Sequence, residues 1–204
     1  MPRVCPASVT RTVAPITGAS SLRKGARNVF HVRASYTDEV RRLVQRLAGM
    51  GLKSIGVVYL DNGYGREMLE DATRSLAEQS LKPSVQAALA SDGANLSQVL
   101  AQVAEARTAA VLLATAGTVS VELVRGLKKN APGVLLAGVS VTLPSDSLKK
   151  LGDVGSGIGV SQGVDVRGVL RPDHDVRLID AARVHLGSKF HGFGDMVVED
   201  LLAL

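Results

Sequence analysis

Ser54-Ile55-Gly56-Val57-Val58-Tyr59-Leu60, followed at once by Asp61-Asn62-Gly63, is the stretch that decides the fold. A nearly unbroken apolar run rich in β-branched residues is the pattern of a strand buried on both faces. Asp-Asn-Gly is turn chemistry, and Leu69, Ala72 and Leu76 then fall on one face of a helix. Upstream, Val40, Leu43, Val44 and Leu47 stand at i, i+3, i+4 and i+7. That spacing predicts an amphipathic helix over 36–50, with Thr37 as its cap and Gly49 and Gly51 closing it. Downstream the alternation recurs. Strands are expected at Ser84–Leu89, Ala109–Ala114, Val134–Gly138 and Gly157–Ser161. Helices are expected from Leu96, Val99, Leu100 and Val103, over Thr118–Asn130, and around Ser145–Leu151. Strand following helix at this pace means βαβ units and an open, mostly parallel, doubly wound α/β sheet of the flavodoxin or Rossmann-like kind.

Composition narrows the function classes. A chain of 204 residues with 46% hydrophobic and 21% charged residues can build one large core or two small ones, which excludes disorder, collagen and coiled coil. Aromatics make up 3% and Trp is absent, a poor supply for stacking bases. The single Cys5 excludes a disulfide framework and a multi-cysteine zinc site. Charge is uneven: residues 1–46 hold nine Lys/Arg against Asp38 and Glu39, or +7, and the remainder holds 15 bases against 17 acids, or −2. A basic opening could meet nucleic acid or a membrane surface. However, Arg41, Arg42 and Arg46 lie on the polar side of a helix, where a solvated face is the simpler reading, and no recognition helix or aromatic strand accompanies them.

The two ends fall outside the rhythm. Residues 1–28 are rich in Pro, Gly, Ser and Arg, with Val13–Ile16 as a stub of strand. Residues 163–204 offer helices near Val176–Leu186 and Asp195–Leu204. Met1-Pro2-Arg3-Val4-Cys5-Pro6 has charge but no apolar stretch, so no signal peptide is expected in this chain as it stands. No apolar run reaches the roughly 18–20 residues of a membrane span.

In an open α/β sheet, ligands bind beyond the carboxyl ends of the strands. That rule selects Asp61, Asn62, Gly63, Tyr64 and Gly65, then Ser91, Asp92 and Asn95, then Thr115, Ala116, Gly117 and Thr118, then Ser140, Val141 and Thr142, and finally Gln162. This rim is small and hydroxyl-bearing, with little charge beyond Asp61 and Asp92. Such groups suit an anion held by backbone N–H groups better than acid–base catalysis. Ser91, Asn95 and Thr118 read equally well as caps and turn formers.

Enzyme signatures are missing. There is no phosphate loop and no G-x-S-x-G elbow, and Gly152-Asp153-Val154-Gly155-Ser156-Gly157-Ile158-Gly159 misses the dinucleotide spacing and precedes a strand. His31, His174, His185 and His191 lack metal-site spacing. No catalytic residue, metal ligand or cofactor is expected.

Pro15-Ile16-Thr17-Gly18-Ala19-Ser20-Ser21-Leu22-Arg23 and Asn28-Val29-Phe30-His31-Val32-Arg33-Ala34-Ser35-Tyr36 resemble type I periplasmic ligand-binding proteins, the branched-chain amino acid receptors of ABC importers. The likeness runs through Ile55–Tyr59 with Asp61 and Tyr64-Gly65, through Ala109–Leu113 and Gly138-Val139-Ser140, to Leu151-Gly152-Asp153 and Gly159-Val160-Ser161-Gln162, about residues 13–164 in all. The resemblance implies a periplasmic protein of two lobes that closes over a small solute without chemistry and passes it to an inner-membrane ABC permease, with no nucleic acid partner. Residues 1–35 then correspond to a remnant of the first lobe and the crossover, 36–163 to the second lobe, and 164–204 to a divergent, helical tail. Exposed strand edges around 1–35 would favour self-association into a concentration-dependent dimer.

The resemblance also assigns ligand contacts. Thr17, Gly18 and Ala19 match the loop that holds a ligand carboxylate, and Tyr64 matches a contact from the second lobe. Ala116 or Gly117 stands where the receptors place an aromatic, and Ser140 where they place the acid for an ammonium group. Without a carboxylate near Ser140, an amino acid would lose about 2–5 kcal/mol, so the expected ligand is not a plain aliphatic amino acid. An effector-sensing domain of a regulator or receptor with the same fold is the alternative function, and a Rossmann-like or flavodoxin-like enzyme a third. Half a clamp that binds nothing well by itself is a fourth.

Overall fold

On Ala110–Ala114, Val111 and Leu113 face one hydrophobic cluster while Ala110, Leu112 and Ala114 face another, and all five are buried. This period-2 alternation with both faces covered makes Ala110–Ala114 the central strand of a two-sided sheet. The structure, a computed structural model, describes residues 12–13, 17–20, 23, 29–31, 33–161 and 176–179. The elements run β1 (Thr12–Val13), β2 (Val29–Phe30), α1 (Tyr36–Gly49), β3 (Ile55–Leu60), α2 (Gly63–Glu78), β4 (Pro83–Leu89) and α3 (Leu96–Glu105). They continue with β5 (Ala110–Ala114), α4 (Thr118–Asn130), β6 (Leu135–Gly138), α5 (Ser145–Leu151), β7 (Ile158–Ser161) and β8 (Val176–Ile179).

Strands order as β4-β3-β5-β6-β7-β8, parallel from β4 to β7 and antiparallel between β7 and β8. β1 and β2 form a separate parallel pair. The expected α/β fold class is the observed one. α1 and α2 bury Val40, Leu43, Val44, Leu47, Met68, Ala72 and Leu76 against one face of the sheet. α3, α4 and α5 cover the other with Val99, Val103, Leu123, Val124, Leu127 and Leu151.

Two expectations need correction. Thr37 does not cap α1; Ser35 does, its Oγ accepting from the Asp38 N–H at 3.1 Å while Asp38 accepts from the Ser35 N–H, a reciprocal capping box. Thr37 instead donates to Asp71 on α2 at 2.6 Å. Residues 176–179 are strand rather than helix: Ile158↔Ile179 and Ser161↔Val176 are paired antiparallel, because the short Val-Arg-Leu-Ile segment gains more from ladder bonds on the β7 edge than from an isolated helical turn. The remainder of that expected helix, the one near 195–204, and Cys5, Gln162, His174, His185 and His191 lie outside the described residues. The glycine cluster behaves as read, a 3-10 turn over Gly152–Gly155 leading into β7. Among the described residues no helix is long and apolar enough to cross a membrane.

Candidate functional site

The sheet's order reverses direction between β3 and β5, so the chain leaves β3 toward one side and β5 toward the other. The crevice beyond their carboxyl ends is the place where α/β sheets hold ligands. Tyr64 stands in the first turn of α2 just beyond β3, and Ala116 and Gly117 follow the end of β5. Asn62 caps α2, accepting from the Gly65 N–H at 2.9 Å, and this cap aims Tyr64 across the sheet end. Gly65 is required there, because a Cβ would lie 2.6 Å from the Leu60 nitrogen and collide with its carbonyl oxygen.

Tyr36 is the hub of the site. Its ring stands edge-to-face with Tyr64 at 5.7 Å and 82°. Its N–H donates to the Gly18 carbonyl at 3.0 Å, and its hydroxyl lies 3.5 Å from Thr17 Oγ1. The Ala19 N–H donates to Thr17 Oγ1 at 3.2 Å, which closes the loop on itself. A Cβ on Gly18 would sit 2.8 Å from the Tyr36 ring, so the loop lies flat on that ring only because residue 18 is glycine. Ser20 then donates to Glu67, one turn beyond Tyr64 on α2.

On the other side of Tyr36, the Arg33 guanidinium lies 5.3 Å from the ring centroid. Arg33 donates to Ser140 Oγ at 2.6 Å and to Glu39 Oε1 at 2.8 Å. Glu39, only 3% exposed, accepts four hydrogen bonds. Arg33 and the Ser140 hydroxyl (3.1 Å) reach Oε1, and the Ser140 N–H (2.8 Å) and the Ser161 hydroxyl (2.7 Å) reach Oε2. The carboxylate thus ties the first turn of α1 to the ends of β6 and β7, where the helix dipole favours an anion.

The structure brings Thr17, Gly18, Ala19, Tyr64 and Ser140 together around Tyr36 and Arg33. Ala116 packs on the same core cluster as Tyr64, and Gly117 holds φ +81° as the N-cap of α4 with open space at its Cβ position. One expectation is overturned: a carboxylate does lie beside Ser140, supplied by Glu39 from α1. The rim also carries more charge than read, through Arg33, Glu39 and Glu67. Sequence reasoning missed Tyr36, Arg33, Glu39 and Ser161. The available signal was Glu39 itself, a charge four residues before Leu43 and so inside the apolar stripe of α1.

Other rim residues serve the scaffold. Asp61 pairs with exposed Arg66 at 2.8 Å, and Asp92 accepts from the Ala94 N–H at 3.0 Å. Asn95 accepts from the Ala90 N–H and donates to the Ala88 carbonyl, both at 2.8 Å, closing the end of β4. Thr115 accepts from Ser120 at 2.9 Å, and Thr142 donates to the Leu113 carbonyl at 3.0 Å.

The Tyr64 hydroxyl is buried with no hydrogen-bond partner among the described residues. Burial first, then the neighbouring Tyr36, Glu39 and Glu67, push its ionisation well above the ordinary phenol range. In the unfolded chain a tyrosine loses its proton near pH 10. The folded state keeps that proton, so stability is intact below about pH 10 and falls as pH rises beyond it. Denaturant unfolding at pH 9 and pH 11 checks this: the loss shrinks in Tyr64→Phe if Tyr64 is its source, and an equal loss in both proteins refutes the assignment.

Comparison with known proteins agrees with this geometry. The profile of a family described as periplasmic binding protein matches residues 7–163. A search of curated proteins finds no match. Among solved structures, a substrate-binding periplasmic protein from Ralstonia solanacearum is 26% identical with a TM-score of 0.69, over 76% of this chain and 44% of that one. An ABC transporter solute binding protein from R. palustris, in complex with benzoate, is 19% identical with a TM-score of 0.67, over 77% and 44%. A branched chain amino acid ABC transporter protein from Thermus thermophilus with bound valine is 19% identical with a TM-score of 0.65, over 74% and 40%. The chain spans less than half the length of these relatives. A flavodoxin-like sheet order and a family match over most of the chain converge: this protein belongs to the periplasmic binding proteins, a non-catalytic family.

Proposed function

We propose that this chain supplies one lobe of an extracytoplasmic receptor that captures a small carboxylate or amino-acid-like solute and delivers it unchanged to an inner-membrane ABC permease. The observation that carries the reading is the gathering of Thr17, Gly18, Ala19, Tyr36, Arg33, Tyr64 and Ser140 at the carboxyl edge of the sheet. The Tyr64 hydroxyl, buried without a partner among the described residues and set beside the Tyr36–Tyr64 ring pair, is a donor that an anion with an apolar body would complete. Relatives solved with benzoate and with valine support the solute class. Ala116 and Gly117, with no bulk, leave room on the β5 side for that body.

Thermal unfolding with added benzoate, L-valine or L-leucine tests the proposal. A solute at one hundred times its Kd adds about 2.7 kcal/mol, a rise of roughly 5–10 °C for a chain of this size. A melting temperature unmoved by every carboxylate and amino acid tried refutes it.

A further inference from the structure

A groove runs between the second half of α1 and strands β6 and β7. Leu43, Leu47 and Met50 line it from α1, Leu135 and Ala137 from β6, and Gly159 of β7 adds no side chain to fill it. Met50 and Val154 are the only large apolar side chains left exposed among the described residues. Arg42 and Arg46 stand at i and i+4 on α1, and Arg46 borders the groove. Neither forms an ion pair among the described residues. β8 delivers the chain to this place. It ends at Ile179 beside Ile158, the first residue of β7, at the sheet edge where α1 also ends and leads into β3. Residues 180–194 separate β8 from Asp195. At about 3.3 Å each when extended, they can span far more than the two strand spacings of about 5 Å between β8 and β6.

In the sequence, Val197, Val198, Leu201 and Leu204 fall on one stripe at helical spacing, and Asp195 and Glu199 stand at i and i+4 along its border. The groove matches the stripe, and the Arg42–Arg46 row matches the acidic row. We propose that Asp195–Leu204 is a helix that docks into this groove of its own chain, antiparallel to α1, with Asp195 toward Arg46 and Glu199 toward Arg42. Antiparallel entry follows from the exit of β8 at the end of α1, and it sets the two helix dipoles against each other. Burial of the apolar stripe drives the docking, and the ion pairs fix its register. The basic ends of α4 and α5 (Lys128, Lys129, Lys149 and Lys150) are the rival place for an acidic helix, but Val154 is the one exposed large apolar side chain on that side of the sheet.

Crosslinking of the full 204-residue chain with a short bismaleimide tests this. Cys5→Ser removes the single native thiol, and Val197→Cys is combined with either Met50→Cys or Val154→Cys. Both partner positions are exposed, so the fold should tolerate them, and circular dichroism checks that it does. Rates are taken relative to labelling by a monofunctional maleimide, which corrects for thiol reactivity. The Met50 pair is expected to link within one chain at least about tenfold faster than the Val154 pair, because docking raises the local concentration of the second thiol. Equal rates, or a faster Val154 pair, overturn the proposal. A link that joins two chains overturns it as well, since the groove then takes the tail of a second copy. Leu201→Asp, which puts a charge in the apolar stripe, is expected to bring the Met50 pair within about twofold of the Val154 pair. An unchanged rate overturns the assigned face. Arg42→Glu with Arg46→Glu should slow the link several-fold, and adding Asp195→Lys and Glu199→Lys should restore it. A reversal that changes nothing, or that the second pair does not rescue, overturns the register.

Discussion

Gly65→Ala is expected to lower the melting temperature by roughly 6–12 °C, the equivalent of about 3 kcal/mol in a chain of this size. The cause is backbone against backbone. A Cβ at residue 65 would run into the Leu60 carbonyl oxygen and lie 2.6 Å from the Leu60 nitrogen and 2.7 Å from its carbonyl carbon. No rotamer change relieves that contact, because neither partner is the flexible end of a side chain. The start of α2 would have to lift from the end of β3, taking Tyr64 with it. Thermal unfolding followed by circular dichroism reads the stability. Under the proposed solute-binding role a parallel loss of solute affinity is expected, since the displaced first turn of α2 carries Tyr64. Gly63→Ala, two residues earlier with nothing within 4 Å of its Cβ position, serves as the control and should melt within roughly 2 °C of the parent. A Gly65→Ala protein that melts like the control would mean that α2 does not leave β3 as described.

Glu39→Ala is expected to cost about 3–5 kcal/mol. Its side chain is 2% exposed and that of Arg33 16%, so removing the carboxylate leaves a cation largely out of water with its counter-charge gone. The Ser140 N–H and the Ser161 hydroxyl lose their acceptor in the same step. Deleting half of a buried pair is far more damaging than neutralising both halves, because the cost arises from the stranded partner. Glu39→Gln should therefore cost less, about 1–2 kcal/mol, since the amide oxygen still accepts from the serines. Arg33→Met with Glu39→Gln should lie close to the parent. Denaturant unfolding of the three variants gives the order. If Glu39→Ala is as stable as the double variant, the Arg33–Glu39 contact does not hold α1 to the ends of β6 and β7.

The inner parallel strands were legible in the sequence because each is a short apolar run bounded by turn residues and buried on two faces, and the edge strand β4 because its residues alternate. Ala109–Ala114 differs from β5 by one residue, and 118–130 and 145–151 match α4 and α5. The caps were harder to read. Thr37 and Ser35 are both good cap residues, and only the exit angle of the backbone makes Ser35 the one that points along the α1 axis. Thr37 is then turned toward α2, where Asp71 accepts from its hydroxyl. Val176–Ile179 shows the limit of periodicity in short segments. Four apolar or mixed residues fit a helix or a strand equally well, and the open edge of β7 settles the matter by supplying a hydrogen-bonding partner.

The candidate site divides along the same line. By itself the sequence determined the α/β class and the strand ends that carry Tyr64, Ala116, Gly117 and Ser140, which depend on local patterns that survive without neighbours. The Thr17-Gly18-Ala19 loop was reached only through the family resemblance. Only the tertiary structure decided that Tyr36 joins the loop to Tyr64, and that Arg33, Glu39, Ser140 and Ser161 form one locked cluster. Glu39 and Ser161 are 122 positions apart and meet within 2.7 Å. No spacing rule reaches that far: the charge balance of the crevice is set where the first turn of α1 meets the ends of β6 and β7, and that meeting is a consequence of strand order.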